Sequence, residues 1–450
     1  MSNAPNARRV LGKVVSDRDT PGARCSRGRF GLSPKWAAPP VQDGIDMSTG
    51  TVPPFRERPP WFGGDLQTLR NIVRGTPPDL PGGERLLLPM PDGDRLAARL
   101  DRPTDRFARP LIVLVHGLAG SEASGPVVAS ARHLVGQGWP VLRLNLRGAL
   151  PSRPIAAGHY HAGRTGDLAE ALRGLPAEFT RNGIVLLGHS LGGNLVLKFM
   201  GEGGQDLPVL AAVTVSAPID LAATCARMLA WRNFIYQRYM LDAMKRDALA
   251  PGAAVSAAER AAIAAAKNVY EFDDGFIAPR FGYRDAQDYY ESNAAKHFLV
   301  GIVRPTLVLH ALDDPWIPGA CYTAIDWSRL PMIEAVLTPR GGHLGFHGRG
   351  SLVPWHDRVT AWWLARRFRL KPKIDETGCH ATSWNEISLA ATKLPQRHPV
   401  DRWQLDASVW GTRETLSTGR VSTCPIAWVI KFLPHRAKPS RHYFMLHRGL

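Results

Sequence analysis

The feature that most constrains the fold is an apolar run that leads into a Gly-x-Ser-x-Gly pattern. Residues 184–187 are apolar, Gly188-His189-Ser190-Leu191-Gly192 follows, and helical periodicity then continues to residue 201. A serine in this context sits on a strained strand-to-helix turn, where a Cβ on either flanking glycine would collide with neighbouring backbone. The pattern therefore predicts a strand, a sharp turn that exposes the Ser190 hydroxyl, and a helix.

The surrounding region alternates short apolar runs with helical periodicity, which is typical of βαβ units and a mainly parallel sheet. Residues 84–90 and 95–100, joined by Pro91-Asp92-Gly93-Asp94, predict an opening antiparallel hairpin, because Asp-Gly supplies the positive φ of the turn. We expect an α/β fold with helices on both faces of the sheet. The other predicted strands are 111–115, 141–146, 184–187, 209–215, 306–310 and 332–337, and the predicted helices are 125–135, 165–175, 191–201 and 355–368.

One long interruption separates the predicted strands 209–215 and 306–310. Residues 219–300 contain an amphipathic stretch, 223–245, that predicts a helix, and an aromatic-rich stretch, 283–290. An insertion of this size in a compact domain is usually functional. We therefore expect a helical cap, or lid, over residues 219–300.

The two ends of the chain differ in composition from its middle. Residues 1–46 mix Arg, Gly, Pro and Ser without periodicity, and residues 371–450 are polar with few apolar runs. Such composition is typical of segments that do not form a core. The predicted organisation is a flexible extension over 1–46, one domain over 47–370, and a poorly ordered extension over 371–450.

The formal net charge of +17 raises the possibility of a nucleic-acid partner. The two ends contribute +4 and +6 of it, and no basic stripe interleaved with aromatic residues stands out. We expect a solvated, arginine-rich surface and no nucleic-acid binding. Arg366, Arg367, Arg369, Lys371 and Lys373 follow Trp362-Trp363 and are compatible with weak peripheral contact to an anionic membrane, although a solvated helix end is the favoured interpretation.

The cysteines, the amino terminus and the nucleotide-binding motifs point to a cytoplasmic enzyme without a cofactor. The five cysteines are far apart and show no metal-ligand spacing. No leader with an apolar core and no run of 18 apolar residues occurs. Neither Gly-x-Gly-x-x-Gly after a strand nor Gly-x4-Gly-Lys-Ser/Thr is present. The expectation is a cytoplasmic protein that uses neither metal nor organic cofactor.

Two loops downstream of Ser190 supply the side chains that would activate it. A serine hydroxyl needs a base, usually a histidine oriented by a carboxylate. Asp313-Asp314-Pro315 follows the predicted strand 306–310, and Gly341-Gly342-His343 follows the strand 332–337. Because parallel strands gather their carboxyl ends at one edge of the sheet, these loops can meet Ser190. The sequence predicts Ser190 as nucleophile, His343 as base and a carboxylate behind it.

The identity of that carboxylate is open between two neighbours. We favour Asp314, with Asp313 as a supporting or turn-forming group; the alternative is that both acids only cap the turn at Pro315.

The oxyanion donors are predicted to be backbone amides. Leu191 begins the helix after the nucleophile, where free N–H groups and the helix dipole favour negative charge. Leu118 lies in the His116-Gly117-Leu118-Ala119-Gly120 loop after the third strand, which is where the second donor is expected. We interpret His116 as a hydrogen-bonding residue inside that loop.

A series of separated blocks extends these patterns over residues 53–368. In this order they resemble the YheT-like branch of the α/β hydrolases, the AB hydrolase 4 family of predicted esterases. The resemblance implies an α/β-hydrolase fold and carries nucleophile, acid and base onto Ser190, Asp314 and His343. The blocks are Gly64-Asp65-Leu66-Gln67-Thr68-Leu69, His116-Gly117-Leu118-Ala119-Gly120-Ser121, Asn145-Leu146-Arg147-Gly148, Tyr160-His161-Ala162-Gly163 with Asp167-Leu168, the elbow from Gly188 to Asn194, Ser216-Ala217-Pro218, Asp313-Asp314-Pro315 and Gly341-Gly342-His343.

The resemblance implies a serine hydrolase that cleaves acyl esters, of lipids or of short chains, through an acyl-enzyme intermediate. It implies a small-molecule ester as partner and assigns no acyl chain length or oligomeric state. The alternatives are an acyltransferase or thioesterase with the same triad, or a catalytically silent binding module. His161 is a second candidate histidine, but we interpret its block as supporting the loop beside the site.

Overall fold

An eight-stranded sheet runs through the part of the chain that the structure, a computed structural model, describes: residues 52–104, 109–203 and 206–369. The strand order is β1-β2-β4-β3-β5-β6-β7-β8. β1 and β2 form the antiparallel hairpin, β2 also pairs antiparallel with β4, and all other pairs are parallel. The strands are β1 (Glu84–Pro89), β2 (Arg95–Asp101), β3 (Leu111–Val115), β4 (Val141–Leu144), β5 (Ile184–His189), β6 (Val209–Val215), β7 (Thr306–Ala311) and β8 (Ile333–Thr338).

Helices connect the parallel strands and build the cap. A 3-10 turn, Trp231–Asn233, and a π-helical turn, Asp273–Ile277, interrupt the cap helices. The α-helices of the described ranges are α1 (Gly63–Arg74), α2 (Gly125–Gly136), α3 (Thr165–Arg173), α4 (Ala177–Thr180), α5 (Leu191–Glu202), α6 (Leu221–Leu229), α7 (Phe234–Ala248), α8 (Ala257–Ala265), α9 (Val269–Phe272), α10 (Ala278–Arg280), α11 (Ala286–Asn293), α12 (Ala320–Thr323) and α13 (Trp355–Arg367).

Both faces of the sheet are covered, which is why the strands read as continuous apolar runs. In β3, Ile112 and Leu114 pack in one cluster with side chains of α2 and α13, whereas Val113 and Val115 pack in another with side chains of α3 and α5. This alternation follows from the two-residue period of a strand. The predicted α/β-hydrolase fold class is thus confirmed, with its opening hairpin and its helices on both faces.

The cap between β6 and β7 has a third apolar cluster of its own, to which Leu191 of α5 also belongs. One detail of the sequence prediction is wrong: residues 223–245 do not form a single helix. Ala230 is extended, with φ −60° and ψ 140°, and separates α6 from α7. The Asn233 side chain donates to the carbonyls of Arg227 (2.8 Å) and Pro315 (2.7 Å), so it satisfies a helix-end carbonyl where the break falls.

Two further points concern the ends of the domain. Helix α1 precedes the hairpin and was not predicted. The extensions predicted over 1–46 and 371–450 lie outside the described residues. Within the described ranges, none of the helices combines the length and apolar character that crossing a membrane requires.

Candidate active site

Ser190 lies at the turn between β5 and α5 in a strained backbone conformation. Its φ is 50° and its ψ −121°, a conformation that costs a residue with a Cβ about 1–3 kcal/mol. The two flanking glycines leave no room for a side chain: a Cβ on Gly188 would lie 2.5 Å from the Gly192 carbonyl oxygen, and one on Gly192 would lie 2.5 Å from the carbonyl oxygens of Val115 and His116. The turn therefore holds the serine at the carboxyl end of the sheet.

The side chains of Ser190, His343 and Asp314 form a chain of hydrogen bonds. His343 Nε2 lies 3.0 Å from Ser190 Oγ, and His343 Nδ1 lies 2.8 Å from Asp314 Oδ2. An ionised carboxylate can only accept, so Nδ1 donates to Asp314 and the Nε2 lone pair faces the serine hydroxyl. This is the tautomer in which His343 can accept the serine proton.

Asp314 is buried, and both of its carboxylate oxygens accept hydrogen bonds. Its Oδ1 accepts from the amides of Trp316 (2.8 Å) and Ile317 (3.1 Å). Burial raises the pKa of Asp314, but the charge and hydrogen bond of His343, the charge of His310 and the hydrogen bond from the Trp316 amide together outweigh burial, and the net pKa lies below its ordinary value. The carboxyl is therefore ionised at neutral pH.

The Asp313 and Asp314 side chains contact different groups. Its Oδ1 accepts from the Gly342 amide at 2.9 Å, and burial raises its pKa. Asp314, and not Asp313, contacts the His343 ring. Asp313 instead ties the loop after β7 to the loop that carries His343.

Three residues that sequence reasoning did not single out position the histidine. Thr68 of α1 accepts a hydrogen bond from the His343 amide through Oγ1 (2.8 Å), and Ser216 accepts one from the Leu344 amide (3.2 Å). The Trp316 ring stacks on the His343 ring with centroids 4.2 Å apart. Thr68 and Ser216 belong to blocks of the family resemblance, which was the available signal for them.

The loop after β3 passes directly over Ser190. A Cβ on Gly117 would lie 3.0 Å from the Ser190 Cβ, and Ala119 donates its amide to Tyr160 Oη at 2.7 Å. Among the described residues no acceptor is found for the amides of Leu118 or Leu191. Leu118 and Leu191 both border the cavity that Ser190 lines.

His116 and His161, the two other histidines considered in the sequence, are held in loop contacts. His116 contacts the Gly117 carbonyl oxygen through Nδ1 (2.8 Å) and accepts from the Leu146 amide through Nε2 (3.1 Å), and burial lowers its pKa to about 4. The His161 ring packs against Phe281 with centroids 4.3 Å apart, and burial lowers its pKa to about 3. Their positions match the interpretation of both as loop-supporting residues.

A cavity of about 140 Å³ opens from Ser190 and His343 into the cap. Its polar lining includes Tyr160 and the buried Asp273, whose pKa burial raises to about 7 although the Tyr290 hydroxyl donates to it at 2.7 Å. Most of the wall is apolar, as expected for a ligand site with few orienting polar groups. The apolar lining includes Leu221, Met228, Met240, Met244, Phe272 and Phe276.

One group of described residues has side chains close enough to share a metal ion: His189, His356 and Asp357, whose ligand atoms all lie within 4.8 Å of one another. The three are buried beneath the elbow and do not line the cavity. The Ser130 hydroxyl already donates to Asp357. The cluster is placed to support the strand end that carries Ser190.

Comparison with known proteins agrees with this architecture. A family model described as alpha/beta hydrolase fold matches residues 110–349. The Escherichia coli (strain K12) protein named "Putative esterase YheT" is 35% identical over 294 residues, which cover 63% of this chain and 85% of that protein. Human phospholipase ABHD3 is 25% identical over 64% of this chain and 71% of that protein. Monoacylglycerol lipase ABHD2 of Danio rerio is 27% identical over 62% and 69% respectively.

The fold and these matches define a hydrolase of the α/β type. The chain belongs to the α/β-hydrolase family, in its YheT-like branch, so the resemblance drawn from the sequence blocks is confirmed.

Proposed function

We propose that the chain is a serine esterase in which Ser190 is the nucleophile, His343 the general base and Asp314 the acid that orients it. The observation that carries the proposal is the hydrogen-bonded series from Ser190 through His343 to Asp314 at the base of an apolar cavity. A nucleophile, a base within 3.0 Å and an orienting group are the parts that acyl transfer requires.

The mechanism has two half-reactions. His343 takes the Ser190 proton as Oγ attacks the ester carbonyl, and the amides of Leu118 and Leu191 stabilise the resulting oxyanion. The C–O bond to the alcohol then breaks, and His343 returns the proton to the departing alkoxide. Water, deprotonated by His343, attacks the acyl-enzyme in the same way and releases the carboxylic acid. Asp314 stabilises the imidazolium in both steps.

The apolar lining supports an acyl ester of a lipid as the substrate class. Methionine and phenylalanine side chains from the cap form much of the wall next to Ser190, and the charged residues Arg153, Asp247 and Asp273 make up a smaller part of the lining. Methionine adapts readily to flexible apolar ligands. The names phospholipase and monoacylglycerol lipase carried by two relatives agree with this choice.

The experiment is active-site labelling combined with a chain-length series. The full chain is treated with a fluorophosphonate probe and assayed on p-nitrophenyl esters from acetate to palmitate. We expect Ser190→Ala to abolish labelling, and Ser190→Ala and His343→Ala each to lower kcat by about 10⁴-fold or more. The surface variant Ser328→Ala is the matched control. Unchanged labelling of Ser190→Ala would overturn the proposal.

A further inference from the structure

The outer side of the cap exposes large apolar side chains to solvent. Trp231 is 88% exposed, Ile235 70% and Phe234 58%. The rings of Trp231 and Phe234 stack on each other with centroids 6.5 Å apart. Adjacent exposed side chains of this size, rimmed by polar residues, typically mark a site of association.

Helix α1 extends this surface. Its Asp65 accepts hydrogen bonds from Arg232 (2.9 Å) and Tyr236 (3.1 Å) of the cap. Phe62, the residue before α1, and Leu66 are four residues apart, a spacing that places them on the same side of the helix, and both are about half exposed. The surface formed by Phe62, Leu66, Trp231, Phe234 and Ile235 is called the apolar surface below.

The charges around the apolar surface are mostly positive. Residues 227–247 contain five basic residues and two acidic ones, Asp242 and Asp247. Arg238 pairs with Asp242 (3.3 Å) and Arg232 with Asp65 (2.9 Å), so the segment keeps a net positive charge with Asp65 included. The side chain of Arg238 is 69% exposed, and Arg246 is also exposed. Exposed Trp and Phe beside Arg is the composition of segments that lie in the interface of an anionic bilayer, where the rings enter the headgroup region and the cations meet lipid phosphates.

The apolar surface and the active site share the same structural elements. Met240 and Met244 lie on α7, the helix that carries Ile235, and line the cavity. Tyr236 packs against Trp316 with ring centroids 5.6 Å apart, and Trp316 stacks on His343. Two side chains thus separate the helix that presents the apolar surface from the proposed base.

We propose that the apolar surface docks on an anionic phospholipid bilayer and brings the cap against the membrane. The basic residues of the cap favour this partner over a second copy of the chain, because two copies facing each other would bring like charges together. Membrane docking is a property separate from ester hydrolysis. Because vesicle binding is measured without substrate turnover, a failure of the docking proposal can be distinguished from a failure of the proposed function.

The test is vesicle flotation of the full chain with phosphatidylcholine vesicles, with and without phosphatidylglycerol. We expect the wild type to float with the anionic vesicles, and about 0.5 M NaCl to weaken the association by screening. The double variant Trp231→Ser/Ile235→Asp should lose at least about tenfold in partitioning, since burial of one large apolar side chain is worth roughly that factor. Arg238→Gln/Arg246→Gln should reduce binding to anionic vesicles by a smaller factor.

The matched control is Val300→Asp, a valine that is 83% exposed before the start of β7, at the opposite end of the sheet. It should float like the wild type, and the thermal unfolding midpoints of all variants show that they fold. Equal flotation of the double variant and the wild type would overturn the proposal, as would absence of wild-type binding. A wild-type dimer that becomes monomeric in the double variant would identify a second copy as the occupant and also overturn it.

Discussion

At the scale of single residues, the proposed chemistry depends on the environment of two neighbouring aspartates. Asp314 accepts hydrogen bonds from two backbone amides and from the His343 ring, and these interactions keep its carboxylate ionised. Asp313 accepts a hydrogen bond from one backbone amide, and burial raises its pKa. Sequence spacing placed both carboxylates after the correct strand. It could only favour one, because one residue along a turn reverses the direction of a side chain.

The two carboxylates therefore have different expected roles. Asp314→Asn should lower kcat by about 10⁴-fold, because the amide can donate to Nδ1 and stabilise the wrong tautomer of His343. Asp313→Asn should lower it by less than about tenfold, since the amide oxygen can still accept from Gly342. Steady-state kinetics on one p-nitrophenyl ester checks both. Equal losses in the two variants would contradict the assignment.

At the scale of elements, the elbow requires close approach between α5 and β3. Gly192→Ala should destabilise the fold by several kcal/mol, because its Cβ would lie 2.5 Å from two carbonyl oxygens of the strand end. Gly136→Ala at the end of α2 meets nothing within 4 Å and should stabilise by about 0.5–1 kcal/mol. Urea denaturation of both variants measures the difference. A Gly192→Ala variant with the same free energy of unfolding as the wild type would show that the elbow is not tightly packed.

The cap helix α7 is expected to set acyl specificity through Met240. Met240→Trp adds bulk to the cavity wall and should lower kcat/KM for palmitate by tenfold or more relative to acetate. Acetate hydrolysis serves as the internal control because the reacting groups are unchanged. A parallel decline for all chain lengths would mean that Met240 supports the fold rather than selects the acyl chain.

The break between α6 and α7 is a feature that the period of apolar residues cannot predict. The apolar spacing continues across the break, but Asn233 bonds to the distant Pro315 carbonyl, and Ala230 adopts an extended backbone. Only the folded chain brings Asn233 and Pro315 together.

At the scale of the whole molecule, buried carboxyl groups link stability to pH. Burial raises the pKa of Asp273 in the cap from 3.8 to about 7. Below pH 3.8 the group is protonated in both states, and as the pH rises toward 7 the unfolded chain loses this proton first. The stability contributed by the protonated carboxyl is therefore present at low pH and lost as the pH rises through about 7.

Asp273→Asn should remove this dependence. Relative to the wild type, the variant should gain stability between pH 4 and 7, by an amount on the order of a few kcal/mol at neutral pH. Urea denaturation at a series of pH values measures it, and the exposed Glu178→Gln is the control. Parallel curves for the variant and the wild type would contradict the raised pKa.

The sequence by itself determined the fold class, the strands, the elbow at Ser190 and the loops that carry Asp314 and His343. These follow from local rules: the period of apolar residues, the glycines required by a strained turn, and the meeting of parallel strands at one edge. The tertiary structure decided which aspartate faces His343, how Thr68 and Trp316 hold that histidine, and where the cap breaks. It also decided which side of the cap remains exposed. Those outcomes depend on side-chain contacts between segments far apart in the chain, which no local pattern encodes.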